Sequence, residues 1–124
     1  MNFYEALNAH LAWKLRLRDY IDGRHGEYLE PSHVGCDDGC ELGRWIRAQY
    51  PRLKNIPEFR RVREQHADFH RCAAEVVQAV NMGDVAAAEQ ALQQEYAHLS
   101  ALVVKSITKL DRALTADEKA SEAA

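Results

Sequence analysis

His66 and His70, in the run EQHADFHRC, stand four residues apart, so on a helix their imidazoles lie one turn apart on one face and can reach a single ion. That face is otherwise apolar, shared with Phe59, Val62, Phe69 and Ala73. Imidazoles buried there have ring nitrogens that need partners, and burial without them is unfavourable. His10 sits on another apolar face, between Leu7 and Trp13. A thiol extends the pattern. In DDGCELGRW, residues 37 to 45, Asp38 can cap a helix whose third position is Glu41, with Leu42, Trp45 and Ile46 as the apolar face behind it. Cys40 then falls in the first turn, where the helix dipole and unpaired N–H groups favour a thiolate. His10, Cys40, His66 and His70 make a closed tetrahedral set of the kind Zn²⁺ prefers in structural sites. The fourth donor stays open at this point. Cys36 and Cys40 with His66 and His70 make a Cys2His2 set, although the 25 residues between Cys40 and His66 far exceed a zinc finger's roughly 12 to 15.

Four helical segments must position these groups. The first, from about Phe3 to Ile21, carries Leu7, His10, Trp13 or Lys14, Leu17 and Ile21 on one face before Gly23 stops it. Residues 23 to 38, GRHGEYLEPSHVGCDD, read as a long loop with neither strand nor helix periodicity. From the Asp38 cap a second helix runs to about Tyr50, where Pro51 disfavours continuation. The third spans about Pro57 to Asn81, with Phe59, Val62, His66, Phe69 or His70, Ala73, Val76 or Val77 and Val80 on its stripe. The fourth, Val85 to Leu114, has a near-heptad seam of Val85, Ala88, Leu92, Tyr96, Leu99, Val103, Ile107, Leu110 and Leu114. These elements imply an all-α fold, an antiparallel four-helix bundle with a long loop between the first and second helices. Residues 1–114 form the domain, and TADEKASEAA, 115–124, reads as a disordered tail.

At 124 residues and a net charge of −3, without a dense Lys/Arg stripe, the chain is a single domain and a poor fit to nucleic acid. The amino-terminal MNFYEALNAHLAWKLRLRDYI is too regularly charged for a signal peptide or a membrane span, so no membrane role and a cytoplasmic location are expected. Three cysteines, an odd number without an export signal, point to reduced thiols rather than a disulfide framework. Cys72 reads as a small apolar residue, His25 and His33 as solvated, and His98 as a residue flanking the seam. Asp37 and Asp38 read equally as turn and cap residues or as outer contacts of a positive site.

HLAWKLRLRDYI, then DDGCELGRWI, then PEFRRVREQHADFHRCA resembles the chemoreceptor zinc-binding domain of bacteria. That family's pattern is a histidine before an aromatic-Lys helix, a Cys-x-Leu-Gly-x-Trp element and a terminal HxxxH. The likeness covers about residues 5 to 110, with all three elements in order. It implies His10, Cys40, His66 and His70 as the zinc ligands and leaves Cys36 outside. It also implies a stand-alone homodimeric member that senses zinc, or hypochlorous acid and related oxidants, through the zinc-bound cysteine. Such a member would signal in trans to a partner of a chemoreceptor or diguanylate cyclase pathway, without enzymatic activity. RAQYPRLKNIPEF departs from the family, which often has glycines there; this concerns the second connector, not the ligands.

Two other readings compete. A hemerythrin-like di-iron bundle that binds oxygen needs bridging carboxylates near HxxxH, and the third and fourth helices supply no Glu-x-x-His or His-x-x-x-Glu on the core stripe. A metal-independent dimerisation domain would be indifferent to chelation.

Overall fold

The first helix, α1 (Phe3–Ile21), starts where the Asn2 side chain accepts the Glu5 N–H at 3.1 Å, and it ends before Gly23, whose φ of 76° suits glycine alone. Four further helices follow: α2 (Pro31–Val34), α3 (Glu41–Leu53), α4 (Pro57–Asn81) and α5 (Val85–Ala91). A five-residue π-turn (Leu92–Tyr96) then leads into α6 (Ala97–Ala123). This computed structural model describes the backbone of residues 1–24 and 26–123, with side chains through Ala116. His25 lies outside the described residues.

Directions follow from the cross-contacts. His10 of α1 meets His66 and His70 of α4, and further along the Tyr20 hydroxyl donates to the Asn81 side-chain Oδ1, so α1 and α4 run the same way. Cys40 at the start of α3 lies beside His66, whereas Trp45 packs on Phe59, 6.1 Å between ring centres, so α3 runs against α4. The last helical stretch is also opposed: Glu89 pairs with Arg18, and Ser106 bonds to Gln65. The result is an up-down-up-down bundle around Leu17, Leu42, Phe59, Phe69, Val76, Tyr96, Ile107 and Leu110, all at most 1% exposed. The bundle is all-helical as expected, but the helix count is not four.

The extra helix, α2, sits in the expected loop. Pro31 occupies its first turn and the Glu30 carboxylate accepts the Ser32 N–H; four residues are too few to show periodicity. The loop is fastened at its other end, where Leu29 donates its N–H to the Tyr20 hydroxyl at 3.2 Å and accepts from Asn81 Nδ2 at 3.1 Å.

Other boundaries also differ from expectation. Pro51 lies inside α3, which continues to Leu53. In that last turn the proline forfeits one backbone bond, and buried Leu53 holds the turn down. Near Leu92 the fourth segment widens into the π-turn, which keeps both Leu92 and Tyr96 buried, while Val85, the first residue of the expected seam, is 48% exposed. Helical backbone also runs on past Leu114, through Ala123. The stretch ADEKASEA contains neither glycine nor proline and is rich in good helix formers.

Candidate metal centre

The site is built at mid-height, where α1, α4 and the start of α3 meet. His66 and His70 project from α4 as the four-residue spacing requires, and His10 comes across from α1; the three are 1%, 3% and 4% exposed. Cys40 is half-buried. It does not sit in the first turn under an Asp38 cap, as the sequence suggests; it is itself the N-cap of α3. Its Sγ accepts the Gly43 N–H at 3.3 Å. The Asp38 carboxylate is occupied elsewhere, accepting from the Cys36 thiol at 2.7 Å and from Arg47 at 2.9 Å, so the cap falls to the thiol.

Backbone carbonyls fix the imidazole tautomers. His10 donates Nδ1–H to the Ala6 carbonyl at 2.7 Å, and His70 donates Nδ1–H to the Val34 carbonyl of α2 at 2.9 Å. Each therefore turns a lone-paired Nε2 inward, the arrangement common to metal-ligating histidines. Phe69 packs edge-on against both rings, at 5.3 and 5.6 Å, and screens them from water.

The donor atoms lie where a tetrahedral ion needs them. His66 Nε2 is 3.1 Å from Nε2 of both His10 and His70, and Cys40 Sγ is 3.2, 3.6 and 3.9 Å from Nε2 of His66, His70 and His10. Bond lengths of about 2.0–2.1 Å to nitrogen and about 2.3 Å to sulfur give tetrahedral edges of about 3.3 Å between nitrogens and about 3.6 Å from nitrogen to sulfur. A proton on His66 Nε2 can serve only one of the two facing nitrogens, whereas a shared cation engages all four donors, so the set fits Zn²⁺ both in distance and in chemistry. All four donor atoms fall within 4.8 Å of one another. Cys36 is not among them; it is exposed, on the turn outside. The cluster contains no carboxylate, which removes the basis of the di-iron reading.

Gly43 explains how Cys40 is held. A Cβ at this position would lie 1.6 Å from the Asp37 carbonyl oxygen and 2.9 Å from the Asp38 Cα, so the turn before α3 folds back onto the bare glycine. The Cys-x-Leu-Gly spacing is thus a backbone close approach as much as a ligand motif. Sequence reasoning singled out neither Gly43 nor the carbonyls of Ala6 and Val34. The glycine in the motif was the available clue, whereas backbone acceptors carry no residue signature.

Burial dominates the electrostatics. It holds the pKa of all three histidines down, that of His66 to about 3, with repulsion from His70 and His10 adding to the effect at His66. Burial also raises the Cys40 thiol, against the pull of the Gly43, Leu42 and Cys40 N–H groups, so the helix start alone does not make a thiolate. A bound cation reverses that balance, because a coordinating thiol is deprotonated outright. The depressed histidines have a consequence for stability. Unfolded histidine takes up its proton near pH 6.5, and folded His66 only at about 3. Stability from this source is therefore complete above about pH 6.5 and lost as pH falls toward 3, by an amount on the order of 5 kcal/mol for His66. Thermal melts of zinc-stripped protein are expected to be level between pH 7 and 8 and to drop steeply from pH 6 to 4. A His66→Leu chain should show a flatter fall; an equal slope in both chains would rule out His66 as the source.

Outer residues settle as follows. Trp45 packs edge-on to Phe3 at 5.2 Å, and Arg16 covers Trp13 at 4.0 Å. His33 and His98 are exposed, and Cys72 is fully buried on α4, outside the four-donor set. A surface cavity of about 300 Å³ reaches His66 and Gly43 past Asp37, Arg47, Tyr50 and Arg63. No helix among the described residues is long and apolar enough to cross a membrane.

Among curated proteins and among solved structures, nothing matches the chain. The family model described as the chemoreceptor zinc-binding domain matches residues 10–77, a stretch that includes all four converging donors and more than half of the 124 residues. By its sequence match and its cluster of three histidines and one cysteine, this chain belongs to the chemoreceptor zinc-binding domain family and is a zinc-binding helical domain.

Proposed function

We propose that His10, Cys40, His66 and His70 hold one Zn²⁺ and that the domain is a sensory module, reporting zinc or oxidants such as hypochlorous acid through Cys40. The near-tetrahedral spacing of the four donors carries this reading. One thiolate and three neutral imidazoles leave the centre at net charge +1, so Cys40 stays deprotonated and electron-rich at neutral pH. A module of this kind is not an enzyme, since four protein ligands leave no position for substrate or water.

Cys40 has two duties at once, ligand and helix cap. In the proposed response its thiolate attacks hypochlorous acid, the sulfur gives up two electrons to become a sulfenic acid, and chloride leaves. The added oxygen must be placed where the Gly43 N–H and His66 Nε2 already approach, at 3.3 and 3.2 Å. Sulfur then loses hold of both the metal and the first turn of α3, a local change that the packing of α3 on α4 passes to the bundle. The cavity against His66 and Gly43 gives a small solute its approach. A homodimer in the cytoplasm, signalling in trans to a partner of a chemoreceptor or diguanylate cyclase pathway, completes the proposal. Exposed Tyr4, Leu11 and Leu15 on α1 are the apolar residues available for self-association.

The test is a stoichiometric dose of hypochlorous acid to zinc-loaded protein, with released zinc and sulfenic acid measured together. Wild type should release zinc in step with sulfenate formation at Cys40, and Cys36→Ala should behave as wild type. Zinc retained after Cys40 is oxidised, or oxidation confined to Cys36 or Cys72, would sink the redox half of the proposal.

A further inference from the structure

A second group of donors lies on the other side of α4, where it packs against the π-turn. Cys72 Sγ and carboxylate oxygens of Glu75 and Glu95 fall within 4.8 Å of one another. Cys72 and Glu75 are neighbours one turn apart on α4, and Glu95 belongs to the π-turn Leu92–Tyr96. The two carboxylates are exposed, and neither takes part in an ion pair among the described residues. Like charges gathered around a thiol repel unless a cation joins them.

An independent observation points to the same place. Tyr96, the residue after Glu95, is fully buried, and its hydroxyl is a buried side-chain oxygen with no hydrogen-bond partner. Its ring lies on Phe69, 5.1 Å between centres and one turn before Cys72, and burial first, then the neighbouring Cys72, pushes the hydroxyl's pKa up. Buried hydroxyls in native proteins are almost always satisfied, and an orphan of this kind marks a water or an ion. The π-turn is itself a local departure from α-helix of the sort found at functional sites.

We propose that Cys72, Glu75 and Glu95 form a second, weaker and more open site for a thiophilic divalent cation such as Zn²⁺, with the Tyr96 hydroxyl beside it. A soft sulfur with two hard oxygens suits Zn²⁺ better than Mg²⁺ or Ca²⁺, which take oxygen alone. Because the donors come from both α4 and the π-turn, a cation here ties the two together, two residues along α4 from His70.

The test loads the full chain with one equivalent of Zn²⁺ and then adds Co²⁺, following thiolate-to-cobalt absorption in the near ultraviolet and the zinc that remains bound. Wild type is expected to develop this absorption and saturate at one Co²⁺ per chain with its first zinc retained. Glu75→Gln/Glu95→Gln, changed only at exposed positions, should keep its helicity and first zinc yet need at least about tenfold more Co²⁺. Cys72→Ser should lose the absorption. The proposal is overturned if zinc-loaded wild type develops no such absorption, or if the double variant matches it with loss of zinc, which would trace the cobalt to Cys40. Retained zinc is read separately, so failure here leaves the first centre standing.

Discussion

Stripping zinc at pH 7 is expected to lower the melting temperature by on the order of 10 °C, and His66→Ala is expected to melt at or below the stripped protein whether or not zinc is supplied, since truncation also leaves a cavity. The magnitude follows from linkage: free zinc at a thousand times its dissociation constant adds about 4 kcal/mol to folding, and a domain of this size moves by roughly 3 °C per kcal/mol. His66 is the vertex to remove. Its Nε2 is 3.1 Å from two other imidazole nitrogens and 3.2 Å from Cys40 Sγ, so its loss opens three edges of the tetrahedron together. A His66→Leu chain sharpens the point. It should also lose the zinc increment, yet without zinc it should be more stable than stripped wild type by about 1–2 kcal/mol, because an apolar side chain replaces a poorly partnered buried imidazole. If stripping leaves the wild-type melt unchanged, the centre adds nothing to folding and the bundle stands on its core alone.

The second large effect belongs to a residue that binds nothing through its side chain. Gly43→Ala places a methyl group 1.6 Å from the Asp37 carbonyl oxygen, with the Asp37 carbonyl carbon and Asp38 Cα also inside 3 Å. All three are backbone atoms, so no rotamer relieves the clash and the turn before α3 must move. Elsewhere in a helix this substitution would add about 1 kcal/mol of stability. Here it is expected to remove several kcal/mol and to weaken zinc binding by at least about tenfold, because the displaced turn carries Cys40. Competition against a chelating dye, with a melt on the same sample, measures both. A Gly43→Ala chain that binds zinc normally would mean that the turn is free to shift without moving Cys40.

The long helices were legible because their ends are marked. Gly23 ends α1 and Pro57 opens α4, and the apolar periodicity between such marks gives the stretches Phe3–Ile21 and Pro57–Asn81, with His10, His66 and His70 already on the buried faces. Cys40 was legible as a member of the site but not as a cap. Asp37, Asp38 and Cys40 compete for that duty within four residues, and it is the pairing of Asp38 with Arg47 and Cys36 that decides it. Three features had no local signature strong enough to read. α2 is barely one helical turn long, the π-turn hides inside a seam whose spacing still averages near a heptad, and Pro51 is tolerated because it falls in the last turn before buried Leu53. The choice of His10 over Cys36 could not come from spacing at all. It depends on the bundle bringing α1 beside α4 while the turn at 36–39 leaves Cys36 facing outward.

Zinc X-ray absorption on the purified chain, loaded with one equivalent, reads the ligand set directly. Three nitrogen neighbours at about 2.0–2.1 Å and one sulfur at about 2.3 Å are expected, with no oxygen. Two sulfurs would put Cys36 in the site in place of His10, and an oxygen in the first shell would mean an open position; either result contradicts the closed centre of His10, Cys40, His66 and His70.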